Sequence, residues 1–259
     1  MNAVLADGLN QALKELKLTG MLTTVDERLA QARAGDLGHL EFLQVLCEDE
    51  LARRQSVALT RRLTRAHFES QATLEAFDFP ANPKAPAAAI RDLAALRWLG
   101  DGQSVILYGP VGVGKTHVAQ GLGHAAIRRG IEVRFTKTSR VLADLAGGHA
   151  DRTWDKRLRE YTRPGLLILD DFALRELTAT QADDLYELVC ERASLGKSLI
   201  ITSNRAPADW YPLFPNPVIA ESLLDRLINT SHALLVDGPS YRPRNRPRPA
   251  DSTPPSPTQ

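Results

Sequence analysis

Cysteine is nearly missing from this chain. Cys47 and Cys190 are the only two in 259 residues, and they stand far apart. That excludes a disulfide-stapled framework and leaves no paired-thiolate spacing for zinc, a pattern that fits a reducing compartment. Long hydrophobic runs are missing too. No stretch approaches the roughly 20 apolar residues of a membrane-spanning helix. The first residues, Met1 to Lys17, lack the apolar run after a basic start that marks a secretion signal. A cytoplasmic location is therefore expected. Charge of one sign is also lacking: 32 Lys and Arg oppose 31 Asp and Glu, a net charge of +1. Any interaction with nucleic acid has to rest on local basic patches, not on overall charge. The 43% hydrophobic and 24% charged content is that of an ordinary soluble globular protein, long enough for one large or two small domains.

One stretch organises the rest. Gly109-Pro110-Val111-Gly112-Val113-Gly114-Lys115-Thr116 reads G-x-x-x-x-G-K-T. A short apolar run, Ser104–Tyr108, precedes it, and a helical pattern from His117 to Arg128 follows. Strand, glycine-rich turn and helix is the context that makes this pattern a phosphate site. The glycines let the backbone turn tightly and present consecutive N–H groups to phosphate oxygens. The helix adds the positive end of its dipole. Lys115 then reaches the β- and γ-phosphates of a nucleoside triphosphate, and Thr116 places its hydroxyl on Mg²⁺.

Before this motif, residues from about Leu9 to Phe68 read as helical, with Gly20 as the expected break and Gly35 and Gly38 bracketing a loop. Leu40 to Phe68 reads as one long helix or two shorter ones. Arg54, Arg61 and Arg65 fall close to one face of it. This basic stripe reads either as a surface for phosphates or as a solvated face balanced by Glu48-Asp49-Glu50. Three prolines between Glu75 and Pro86 predict a linker, in which Phe77 and Phe79 either wrap a nucleotide base or simply pack. Ile90–Leu99 predicts a lead-in helix.

From Ser104 onward strand and helix alternate. Strands are predicted over 104–108, 132–136, 166–170, 198–202 and 233–236. Helices are predicted over 115–129, 139–146, 152–161, 180–195 and 220–229. This alternation predicts an α/β fold, a parallel five-stranded sheet with helices on both faces. Uninterrupted apolar strands such as Leu166–Leu169 fit a sheet covered on both sides. Beyond Tyr241 the chain is rich in Pro, Arg, Ser and Thr, a composition that cannot bury a core and predicts disorder.

Several polar residues fall where a P-loop enzyme needs them. Asp170 ends an apolar strand, expected beside the P-loop strand, and suits Mg²⁺ coordination. Asp171 is placed to polarise an attacking water. Asn204, at the carboxyl end of the 198–202 strand, is placed to orient that water. Arg226 on a late helix suits a neighbouring subunit's γ-phosphate, and Arg242 is a second phosphate candidate. Arg152, Lys156, Arg159 and Arg163 recur at steps of four, three and four. They read either as a basic stripe facing DNA or as a solvated face balanced by Asp151, Asp155 and Glu160.

Taken in order, the chain resembles an AAA+ ATPase of the IstB-like group. These are helper ATPases of bacterial insertion sequences, close to the DnaC-type helicase loaders. The resemblance runs from about Leu9 to Arg242. It rests on Leu13 to Met21 (Leu-Lys-Glu-Leu-Lys-Leu-Thr-Gly-Met), Glu41-Phe42-Leu43, Phe77-Asp78-Phe79 and Tyr108 to His117. Ile201-Thr202-Ser203-Asn204, Leu224-Asp225-Arg226-Leu227 and Ser240-Tyr241-Arg242 complete it.

The resemblance implies roles for single positions. Lys115 and Thr116 bind phosphate and Mg²⁺, and Asp170 binds the metal. Asp171 is the catalytic acid, Asn204 the first sensor, Arg226 the finger acting across a subunit interface, and Arg242 the second sensor. Asp171 stands where many AAA+ proteins carry the longer glutamate, and that shortening implies slow turnover suited to a switch. Pro239 stands where the group more often has an acidic residue. The implied organisation is a helical N-terminal domain over 1–75 that binds DNA or a partner, and a linker with its lead-in helix over 76–103. An AAA+ core over 104–241 and a Pro/Arg-rich tail over 242–259 follow. The implied activity is ATP hydrolysis with Mg²⁺, stimulated by DNA. The implied partners are duplex DNA bound mainly without regard to sequence, a cognate transposase, and further copies of the chain joined through ATP. A replicative helicase loader is the alternative, and a non-catalytic ATP-binding scaffold a second one.

Overall fold

The computed structural model describes residues 7–241. It divides in sequence between Thr64 and Arg65 into two compact units.

The first unit holds α1 (Asp7–Glu15), α2 (Thr19–Arg33) and most of α3 (His39–Ala66). Leu13, Val25 and Leu46 form its small core, with Met21, Leu22, Leu29 and Phe42 packed around them. α3 is one continuous helix because its 28 residues contain neither glycine nor proline. The break between α1 and α2 falls at Lys17, whose φ of +56° ends α1, and not at Gly20, where it was expected. Gly20 lies inside α2 for a packing reason. A Cβ there would stand 2.6 Å from the Glu50 Cα, so only glycine lets α2 come this close to α3. Glu50 exploits the approach. It is almost fully buried, and its carboxylate accepts the Gly20 N–H at 2.5 Å and the Arg54 Nε at 2.6 Å. Arg28 clamps Asp49 with two nitrogens at 3.0 and 3.1 Å. The acidic run 48–50 is therefore spent largely on joining helices.

The second unit opens with α4 (Ala87–Ala94) and the single turn α5 (Arg97–Gly100). The expected linker residues 75–86 lie within this unit and form turns. Then follow β1 (Ser104–Tyr108), α6 (Lys115–Arg128), β2 (Val133–Lys137), α7 (Thr138–Asp151), α8 (Trp154–Thr162) and β3 (Leu166–Phe172). The unit continues with α9 (Ala179–Ser194), β4 (Ser198–Ser203), a 3-10 turn (Pro207–Leu213), α10 (Pro217–Asn229) and β5 (Ser231–Leu235). Each strand and helix expected after Ser104 is present. The strands form one parallel sheet in the order β2-β3-β4-β1-β5.

Both faces of the sheet are covered, as its uninterrupted apolar strands require. Ile106, Leu167, Leu169, Leu199 and Ile201 point into a core shared with α7, α8, α9 and α10. Ile168 points the other way, against α6, where Gly123 lets the helix come close. Helix ends are set locally. Thr178 and Gln181 exchange side-chain and backbone bonds at the start of α9, and Asn216 caps α10 ahead of Pro217. α7 runs farther than expected, to Asp151. Arg152 therefore takes a left-handed C-cap conformation (φ +62°) and is not on the helix that carries Lys156 and Arg159.

Arg192 of α9 is fully buried and forms no ion pair among the described residues. Its guanidinium donates to the carbonyls of Tyr161, Pro164, Gly165 and Ser198, at 2.7, 3.0, 3.3 and 2.5 Å. Burial pushes its pKa down to about 9, so the cation persists at neutral pH and ties the loop before β3 to β4. Among the described residues, no helix is long and apolar enough to cross a membrane. The tail 242–259, Arg242 included, lies outside the described residues.

Candidate functional site

The site lies at the carboxyl ends of the strands, where open α/β sheets collect ligands. β1 ends at Tyr108 and the chain turns through Gly109, Gly112 and Gly114, all with positive φ, into α6. All three are also held in place sterically, Gly112 by the Ser240 side chain. A Cβ on Gly109 would stand 2.2 Å from the Val236 carbonyl oxygen, and one on Gly114 would stand 2.6 Å from the Phe77 ring. Val113 is fully buried, and its carbonyl accepts Asn82 Nδ2 at 3.3 Å. The Lys115 ammonium folds back over the loop and donates to the carbonyls of Gly109 and Pro110 at 2.8 and 2.7 Å. A cleft of about 210 Å³ brings Val111, Lys115, Thr116, Asp171 and Asn204 together against Gly112 and Gly114.

Asp170 is 2% exposed at the end of β3. It was expected on a strand beside β1, but β4 lies between the two strands. The carboxylate still reaches the P-loop. Its Oδ1 accepts the hydroxyl of Thr116 at 2.8 Å and that of Thr202, on β4, at 2.6 Å. Burial pushes the Asp170 carboxyl pKa up, and these two hydroxyl bonds pull against that.

Asp171 sits at a bulge, where the register between β3 and β4 shifts between Leu169 and Phe172. Its φ is +57°, and its N–H donates to Thr202 Oγ1 at 3.0 Å. Asp171 lines the cleft, and its carboxylate stands 3.5 Å from the Lys137 ammonium at the end of β2. Lys137 stands 3.8 Å from Glu69 as well. Sequence reasoning assigned no role to Thr202 or Lys137. Thr202 lies two residues before Asn204, and only the strand order shows what it touches.

Arg226 is exposed in the last turn of α10 and does not line the cleft of its own chain. The segment leading to Arg242 crosses the P-loop. The Tyr241 N–H donates to the Gly112 carbonyl at 2.9 Å, and the Tyr241 hydroxyl to the Asp78 carbonyl at 2.9 Å. Phe77 is buried between the Gly114 backbone and the rings of Phe79 and His117, which makes it packing for the loop.

The basic residues divide into two kinds. Arg54 is bound to Glu50, and Arg65 stands 3.6 Å from Glu132. Arg61, Arg152, Lys156, Arg159 and Arg163 are exposed and form no ion pair among the described residues. Asp151, expected to balance the second stripe, instead pairs with Arg157 at 2.5 Å.

The donor set suits Mg²⁺ held partly by a nucleotide. One hydroxyl and one carboxylate, Thr116 and Asp170, are hard oxygen ligands at the mouth of a phosphate cradle. Among the described residues no cluster of three His, Cys, Asp or Glu could hold a metal unaided. Residues 11–249 match the family model of IstB-like ATP binding proteins. The chain belongs to this family.

IstB-like relatives agree over nearly the whole length. A Mycobacterium tuberculosis protein, named for ATP binding in an insertion sequence, is 73% identical over 92% of this chain and 95% of its own. The IS21 protein of Pseudomonas aeruginosa, also named for ATP binding, is 34% identical over 89% of this chain and 86% of its own. Among solved structures the DnaC helicase loader has the same AAA+ core fold. Its TM-score is 0.57 at 22% identity, covering 64% of this chain and 97% of the loader. This IstB-like protein is thus an insertion-sequence ATP-binding protein on an AAA+ fold.

Proposed function

We propose that this protein is an ATP-dependent helper of insertion-sequence transposition. It works in the cytoplasm, where the chromosome is the target. In its ATP state it assembles on duplex DNA, prepares the target and engages the transposase, and hydrolysis releases the assembly. The observation that carries this reading is the shared cleft. The glycine cradle, Lys115 and Thr116 share it with Asp171 and Asn204.

In this reading the P-loop N–H groups and Lys115 hold the triphosphate, while Thr116 and Asp170 hold Mg²⁺. The metal, when bound, neutralises charge on the phosphate oxygens. Asp171 takes the proton of the attacking water and Asn204 orients that water. Arg226, exposed and outside its own cleft, serves the nucleotide of a neighbouring copy, so that ATP favours an oligomer. Arg242, next in sequence after Tyr241, serves as second sensor. Turnover is slow because Asp171 is short and held by Lys137. Arg61, Arg152, Lys156, Arg159 and Arg163 supply sequence-independent contacts to phosphates, and Arg54 and Arg65 supply them only by giving up their acidic partners.

The test is fluorescence anisotropy of a labelled random duplex and the matching single strand, titrated in ATP, ADP and no nucleotide at one stated salt concentration. Tight duplex binding in ATP alone is expected. A preference for single strand would replace this reading with a helicase loader.

A further inference from the structure

Asp170 and Asp171 are adjacent in sequence and have different tasks, yet one side chain touches both. Thr202 is 1% exposed at the end of β4, the strand between β1 and β3. Its single hydroxyl both donates and accepts. It donates to Asp170 Oδ1 at 2.6 Å and accepts the Asp171 N–H at 3.0 Å. A hydroxyl has one proton and two lone pairs, so it can do both at once. Valine has the same shape and can do neither.

The two bonds have separate consequences. Asp170 Oδ1 also accepts the Thr116 hydroxyl at 2.8 Å. A Thr116 oxygen that ligates a metal does so through a lone pair and keeps its proton for Asp170, and Thr202 holds the same carboxylate oxygen from the neighbouring strand β4. Thr202 is therefore a second hydroxyl that fixes this carboxylate, and unlike Thr116 it lies outside the phosphate loop. The second bond holds Asp171 in its left-handed conformation at the bulge, where the residue lines the cleft.

We infer that Thr202 is the positioning residue of the metal and water site, orienting Asp170 for Mg²⁺ and Asp171 for the attacking water through one hydroxyl. This rests on the reading of the cleft as an Mg²⁺-nucleotide site. Side chains that orient a metal ligand typically govern metal affinity by about ten-fold or more, although they never touch the ion.

The experiment measures binding, so it does not depend on turnover. A fluorescent N-methylanthraniloyl ATP is titrated into the wild-type chain and into Thr202→Val, Thr202→Ala and Thr202→Ser. Each titration is run in EDTA and across a range of Mg²⁺. For Thr202→Val we expect a rise of about ten-fold in the Mg²⁺ concentration that half-saturates the metal-dependent gain in affinity. Affinity in EDTA should be unchanged, because the Thr202 hydroxyl is engaged with Asp170 and Asp171. Thr202→Ser keeps the hydroxyl and should stay within about two-fold of wild type. Thr202→Ala lacks the hydroxyl without filling its space, and covers the case in which valine prevents folding.

The inference is overturned if Thr202→Val or Thr202→Ala binds Mg²⁺ as wild type does. It also falls if affinity drops equally with and without the metal, if serine behaves like valine, or if neither valine nor alanine folds. Failure of the underlying site is a different result. The wild-type chain would then bind the analogue no better with Mg²⁺ than in EDTA.

Discussion

The Lys137 ammonium stands 3.5 Å from the Asp171 carboxylate, at the ends of the neighbouring strands β2 and β3. Both side chains are 37% exposed, so solvent screens the pair, which is worth about 1 kcal/mol or less. It still draws the Asp171 carboxylate toward β2. Lys137→Met should raise basal phosphate release by roughly two- to five-fold without DNA, in line with that energy. A fall in rate would mean that Lys137 assists the chemistry.

Lys115→Ala removes a cation and leaves the carbonyls of Gly109 and Pro110 without that donor. Charge-assisted bonds are worth about 1.5–3 kcal/mol, so ATP affinity should fall roughly 10- to 100-fold. ATP-dependent assembly on DNA should disappear. If analytical ultracentrifugation finds the mutant assembled on DNA like wild type, nucleotide is not the switch.

Arg226 and Asp171 should fail on opposite sides of one interface. Arg226→Ala and Asp171→Asn are each expected to bind ATP normally and to hydrolyse it poorly. Mixed together they should regain part of the rate, because some interfaces then pair an intact Asp171 with an intact Arg226. Mixtures no more active than their parts would place Arg226 outside the reaction.

The first unit should loosen in acid. The hydrogen bond from Arg54, with those from the backbone, holds the Glu50 pKa below its ordinary 4.5. Arg28 does the same for Asp49. A carboxylate whose folded pKa is depressed contributes its full stability above the unfolded value and loses it as the pH falls through the folded one. The protection factors of the amides in α1, α2 and α3 against hydrogen exchange should therefore fall below about pH 4.5. Gly20→Ala should lower them at neutral pH, because a methyl group forced against the Glu50 backbone costs about 1–3 kcal/mol. Nucleotide binding should be unaffected.

Arg192→Met should destabilise the second unit by about 3–5 kcal/mol, the cost of stripping buried carbonyls of a charged donor. Thermal unfolding followed by circular dichroism reads this directly. Lysine should rescue little, since a compact ammonium cannot serve four carbonyls spread over two loops.

What could be read from the sequence was local. The P-loop is eight contiguous residues whose function follows from backbone geometry, and the strands and helices after Ser104 announce themselves by apolar pattern. Asp170, Asp171 and Asn204 were legible because they close apolar strands. Errors arose where a long-range partner decides. Gly20 looked like a helix break because isolated glycine usually is one, but the nearby Glu50 backbone is what demands it. Arg152 looked like part of a stripe until α7 ran on to Asp151.

The sequence by itself determined the elements, the phosphate loop and the polar residues at the strand ends, because each depends on neighbours along the chain. Only the tertiary structure decided what those residues touch. It inserts β4 between β1 and β3, which brings Thr202 onto Asp170 and Asp171, and it sets Lys137 beside Asp171. Strand order is fixed by which apolar faces the helices can cover together, and no contiguous stretch of sequence carries that information.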